Sequence, residues 1–124
     1  MDVHFWAATD PGQKRDHNED NFLVDKDLNL FVVCDGMGGH AAGEVASALS
    51  VKTVRETVAA HPDVIENLRD DPEDASHRQS LLALLEHAVK EACSVVYTAA
   101  QSDSTRNGMG TTCSMLLVHG KYGF

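Results

Sequence analysis

Residues 18–40 read Asn-Glu-Asp-Asn-Phe-Leu-Val-Asp-Lys-Asp-Leu-Asn-Leu-Phe-Val-Val-Cys-Asp-Gly-Met-Gly-Gly-His. Two short apolar runs, Asn21 to Val24 and Leu30 to Cys34, are split by the polar segment Asp25 to Asn29, which is the pattern of a β-hairpin with a slightly long loop. The polar run Arg15-Asp16-His17-Asn18-Glu19-Asp20 leads into the first of these two runs, and the second of them stops at Asp35-Gly36-Met37-Gly38-Gly39-His40. In antiparallel pairing the residue before one strand lies beside the residue after its partner. Asp20 and Asp35 are therefore neighbours, and with Glu19 they gather three carboxylates at one end of a sheet. Like charges held so close are costly unless a cation neutralises them or one is protonated. Oxygen donors of this kind suit Mg²⁺ or Mn²⁺. The glycines after Asp35 let backbone come near a ligand and expose a carbonyl as a further donor. Taken singly, Asp35-Gly36 is an ordinary turn, Asn18-Glu19-Asp20 a solvated loop and Arg15 a surface cation. Only their occurrence together at one hairpin end points to chemistry.

Working outward, Val3 to Thr9 reads as a first strand, closed by the turn Asp10-Pro11-Gly12. From Ala41 to Ala60 the apolar residues Val45, Ala46, Leu49, Val54 and Val58 recur at helical spacing. His61 to His77, with Pro62 and Pro72 as breakers, reads as an acidic connecting loop that carries five of the nine net negative charges. Ser76 and Gln79 fit a capping box. Beyond them Leu81, Leu84, Leu85, Ala88, Ala92, Val95, Val96 and Ala99 form one face of a helix running to about Gln101. Asn107-Gly108 signals a turn, Thr111 to His119 a strand, and Tyr122 the start of another. Strands and helices segregate along the chain, so the expected class is an antiparallel α+β layer arrangement.

The chain has 124 residues, of which 43% are apolar and 23% charged, with a formal net charge of −9. That is globular composition, enough for one domain or part of one. An acidic surface repels phosphate backbones and anionic lipid, which argues against nucleic-acid binding and polybasic membrane docking. Cys34, Cys93 and Cys113 are widely spaced in apolar stretches, as expected of reduced thiols serving as small core residues. No basic segment followed by an apolar stretch opens the sequence, and its apolar runs fall far short of the ~20 residues of a membrane span. The expectation is a soluble, cytoplasmic protein.

Gly36-Met37-Gly38-Gly39-His40-Ala41 also matches the dinucleotide fingerprint G-x-G-x-x-A. Asp35 would then put a carboxylate beside the pyrophosphate, and no acidic strand end follows about 20 residues on, as that fold requires. Nucleotide binding is thus a minor alternative. The runs Gly12 to Asp20, Leu30 to Ser47 and Gly108 to Thr112, in that order, instead resemble the bacterial branch of the metal-dependent protein phosphatases, the PP2C or PPM family. The resemblance extends over roughly residues 5–124.

The resemblance implies a four-layer α-β-β-α sandwich of two antiparallel sheets between helix pairs, with a binuclear Mg²⁺/Mn²⁺ centre. It also implies hydrolysis of phosphoserine and phosphothreonine on proteins. Asp35 would bridge the two metals and the Gly36 carbonyl would bind one of them. Glu19 and Asp20 would hold metal-coordinated waters, and Arg15 would grip the substrate phosphate in a bidentate contact. A water made acidic by the cations would attack phosphorus, so the cysteines have no nucleophilic role. Two departures are visible. Met37 stands where eukaryotic relatives have a histidine proposed to protonate the leaving group, and His40 comes three residues later. The further metal-binding aspartates of the family are not found before Phe124.

Residues 1–124 are accordingly expected to be the N-terminal portion of a phosphatase domain, with little turnover alone. Its expected partners are a phosphorylated protein, a Ser/Thr kinase or its targets, and a second copy meeting it along an open strand edge. The alternative from another class is a non-catalytic module that binds phosphoprotein through the same loops.

Overall fold

A computed structural model describes residues 20–38, 42–104, 108–119 and 122–124. Strand β1 (Asp20–Asp25) and strand β2 (Leu30–Met37) form the expected hairpin. Helices α1 (Ala42–Ala59), α2 (Pro62–Asp70) and α3 (Ala75–Ser102) follow, and then strands β3 (Gly110–His119) and β4 (Tyr122–Gly123). The strands make one antiparallel sheet in the order β1-β2-β3-β4. The α+β class holds. The strand expected at Val3 to Thr9 lies outside the described residues.

Three local expectations need correction. The acidic stretch after Pro62 is not a loop but α2. Proline at the first helical position gives up no intrahelical hydrogen bond, so there it begins a helix instead of breaking one. Ile65 and Leu68 on this helix are buried. The cap of α3 is Asp74, not Ser76. The Asp74 carboxylate accepts from the Ser76 N–H at 2.8 Å and from the Ser76 hydroxyl at 2.7 Å. Lastly, β2 does not stop at Cys34 but continues to Met37, because Gly36 and Met37 pair with Thr111 and Gly110 of β3.

Helix α1 lies across β1, β2 and β3, α3 packs on α1, and α2 packs on α3. Alternation along the strands gives the sheet two unlike faces. Leu30, Val32, Cys34 and Leu117 point under the helices. There they meet Val54 and Val58 of α1, Ile65 and Leu68 of α2, and the Leu81, Leu84, Leu85, Ala88 and Ala92 face of α3. A second small cluster (Ala42, Ala46, Val96, Ala100 and Met109) closes the end of the helix layer beside the start of β3. Phe22, Val33, Met37 and Leu116 stand exposed on the opposite face.

The hairpin loop is held at the end away from Asp35. One Asp25 carboxylate oxygen accepts from the N–H groups of Asp27 and Leu28 at 3.0 and 3.1 Å, and the other accepts from Arg55 Nε at 3.1 Å. Arg69 donates to the Asp27 carbonyl at 2.7 Å, and Asn29 takes the left-handed conformation (φ 52°) that closes the loop.

Candidate active site

The β1–β2 register sets Asp20 directly across from Asp35, followed by Asn21 across from Cys34 and Phe22 across from Val33. Leu117 exchanges both backbone hydrogen bonds with Phe124 of the chain end beyond β4, while the Val118 N–H turns the other way, to Asn29. Carrying this alternation through the unbroken β2–β3 register, the odd-numbered residues of β2 direct their peptide groups toward β3. Asp20 and Asp35 are therefore a non-hydrogen-bonded pair, the kind whose Cα atoms stand about 4.5 Å apart. The expected adjacency of these two aspartates is what the backbone builds.

Asp35 is exposed, on the same face as Phe31, Val33 and Met37 by strand alternation. Its backbone is flanked by the Thr112 hydroxyl, which lies 3.4 Å from the Asp35 N–H and 3.5 Å from the Asp35 carbonyl. Of Asp20 only the backbone is described, and Arg15, Glu19 and His40 lie outside the described residues. Among the described residues no group of three or more His, Cys, Asp or Glu side chains is placed to hold a metal ion. The donors at this sheet end are Asp35 and the backbone carbonyls around Gly36, with the Asp20 position beside them. The nearest thiol, Cys34, is buried on the opposite, helix-covered face. Among the described residues these are oxygen donors, the kind a hard divalent cation takes.

Two features fix this end of the sheet. Asn21, next to Asp20, donates to the buried Ser47 hydroxyl of α1 at 2.7 Å, and that hydroxyl donates on to the Glu44 carbonyl at 3.2 Å. The strand carrying Asp20 is thus tied to the helix that follows Asp35. Gly38 sits between strand and helix at φ +148°, and a Cβ there would lie 3.0 Å from Ala42 Cβ and 3.2 Å from both Gly43 N and Met109 Cβ. Only glycine lets the chain leave β2 beside Asp35 and enter α1 so tightly.

Asn21, Ser47 and Thr112 were not singled out by sequence reasoning. Asn21 adjoins the acidic run and Thr112 belongs to the Gly-Met-Gly-Thr-Thr stretch, which were the available signals. The cysteines are only partly as expected. Cys34 is buried and Cys113 half-buried, but Cys93 is exposed on α3. Cys34 and Cys113 are register partners. A hydrogen bond to Cys113, aided by burial, pushes the Cys34 thiol well above the ordinary range, and the same bond draws Cys113 down.

Among the described residues no helix is long and apolar enough to cross a membrane. The protein phosphatase 2C family model matches residues 12–124. The chain is 36% identical over 118 residues to the serine/threonine protein phosphatase PstP of Mycobacterium tuberculosis, covering 95% of this chain and 20% of that protein. It is 32% identical over 113 residues to the serine/threonine phosphatase stp of Listeria innocua, covering 89% of this chain and 40% of that protein. Among solved structures, the PstP catalytic domain in complex with two manganese ions aligns with a TM-score of 0.62 at 34% identity. That alignment covers 90% of this chain and 41% of the other. The chain thus spans between a fifth and two-fifths of the length of these curated relatives. With a family match over nearly its whole length and this likeness in sequence and fold to solved phosphatase domains, this chain belongs to the protein phosphatase 2C family.

Proposed function

We propose that these residues form the N-terminal part of a phosphatase that hydrolyses phosphoserine and phosphothreonine on proteins with Mg²⁺ or Mn²⁺. The observation that carries the reading is the pairing of Asp20 with Asp35 at the sheet end where β2 meets Gly36 and Gly38. Asp35 would hold the cation through its carboxylate and Gly36 through its carbonyl, and Glu19 and Asp20 would orient solvent beside it. Arg15 grips two oxygens of the substrate phosphate, which fixes the phosphorus for attack. When bound, the cations supply Lewis acidity and lower the pKa of water enough to yield a nucleophile near neutral pH. No cysteine takes part. Met37 has no proton to give, so the leaving serine or threonine oxygen takes its proton from another group or from solvent.

Asp35 is the one carboxylate proposed here to touch metal directly, and the described residues hold no larger ligand group. The chain covers only 20–40% of the length of its relatives, which supports a site that draws further ligands from the rest of such a domain, and the exposed apolar face is where the second sheet of the family's sandwich would lie.

The test is hydrolysis of p-nitrophenyl phosphate and of a phosphothreonine peptide by the 124-residue chain in millimolar Mn²⁺. The expected result is turnover near background. Robust turnover abolished by Asp35→Asn would overturn the incompleteness and keep the phosphatase assignment. Robust turnover indifferent to Asp35→Asn would overturn the site itself.

A further inference from the structure

Cys34 and Cys113 lie 79 positions apart in sequence but are directly paired across β2 and β3. Cys113 has the same parity on β3 as Leu117, whose peptide groups face away from β2. The cysteines are therefore a non-hydrogen-bonded pair, and their side chains project to the same, helix-covered face. Such pairs set Cα atoms about 4.5 Å apart, within the ~4.4–6.8 Å that a disulfide spans. Both thiols are free. Cys113 also lines a cavity of about 450 Å³ between α3 and β3, together with Ser50, Cys93, Val96, Tyr97 and Met109. Cys34 is sealed beneath the helices. A small solute in this cavity thus reaches Cys113 before Cys34, which lies directly across the strand pair.

We propose that Cys34 and Cys113 form a redox-modification site at which a hydroperoxide closes an intrachain disulfide between β2 and β3. The Cys113 sulfur attacks the peroxide, the O–O bond breaks, and a sulfenic acid forms with release of water or an alcohol. The Cys34 sulfur then attacks the sulfenic sulfur. The S–S bond forms as the S–O bond breaks, and the departing hydroxide takes up the Cys34 proton as water. Two thiols lose two electrons and two protons in all, and the peroxide gains them. The bond lies one residue from Asp35 but depends on strand register alone, so it stands whether or not a metal binds there.

The folded chain is exposed to hydrogen peroxide, its remaining thiols are blocked with N-ethylmaleimide, and non-reduced digests are read by mass spectrometry. The expected product is lighter by two hydrogen atoms, joins the Cys34 and Cys113 peptides, carries maleimide on Cys93 and is restored by dithiothreitol. Cys93→Ser is expected to leave that product unchanged, and Cys113→Ala to remove it and leave Cys34 a thiol. A crosslink that includes Cys93 would overturn the proposal. So would sulfinic acid at Cys113 beside an intact Cys34 thiol, or survival of both thiols in the oxidised, folded chain. Should Cys113→Ala fail to fold by circular dichroism, the Cys93→Ser chain still decides the matter, because only two thiols remain.

Discussion

Neighbouring residues on the same strand meet opposite fates in this sheet. Val32 is fully buried beneath the helices, whereas Val33, one residue on, is 56% exposed. The covered face is a finished core in which every large strand residue meets apolar partners from α1, α2 or α3. The other face carries exposed Phe22, Val33 and Leu116, and at its end Asp35. The four strands therefore separate their tasks by face, with stability on one side and the proposed chemistry on the other.

The strongest way to break the contrast is at the adjacent leucines of β3. Leu117 is 1% exposed and Leu116 is 45% exposed. Leu117→Ala is expected to cost about 2–5 kcal/mol in urea denaturation, from lost burial and the cavity left behind. Leu116→Ala is expected to cost about 1 kcal/mol or less. Equal losses would mean that the open face is packed in solution. Next in size is Gly38→Ala, which tests the join between the two faces. A left-handed backbone and a 3.0 Å contact with Ala42 predict a loss of about 1–3 kcal/mol. Gly108 also has positive φ (79°) but open space around it, so Gly108→Ala should cost only the conformational part, about 1 kcal/mol.

The smallest effect concerns pH. Hydrogen bonds from the Ser76 hydroxyl and then its N–H hold the Asp74 carboxyl below its usual value of 3.8. Because the folded value is depressed, the stabilisation is present above the unfolded value and is lost as pH falls through the folded one. Asp74→Ala should therefore lower Tm at neutral pH by a margin that closes in acid. A margin independent of pH would show that the charged cap is not the cause.

How much of this was legible in the sequence follows from the range of the forces involved. The hairpin and its paired aspartates were legible because two short apolar runs and one loop fix their own register. The α3 face was legible because Leu81 to Ala92 repeat at helical spacing. Pro62 misled because a proline's meaning depends on whether it opens a helix or interrupts one. Asp74 and Ser76 both suit a helix start, and which side chain accepts is settled only by the first turn's geometry. The Cys34–Cys113 pairing was beyond local reading, since three helices separate β2 from β3 along the chain. Cys93 adjoins buried Ala92 in an apolar stretch but falls outside the buried stripe of α3.

The claim most exposed to contradiction is that Asp35 is the direct protein ligand for a divalent cation at the hairpin end. Titrating Mn²⁺ into the chain and into Asp35→Asn, followed by electron paramagnetic resonance of the free ion, tests it without need of turnover. A weak site in the chain that loses at least about tenfold in affinity (roughly 1.4 kcal/mol) in a folded Asp35→Asn is the predicted result. Equal Mn²⁺ binding by the two would contradict it.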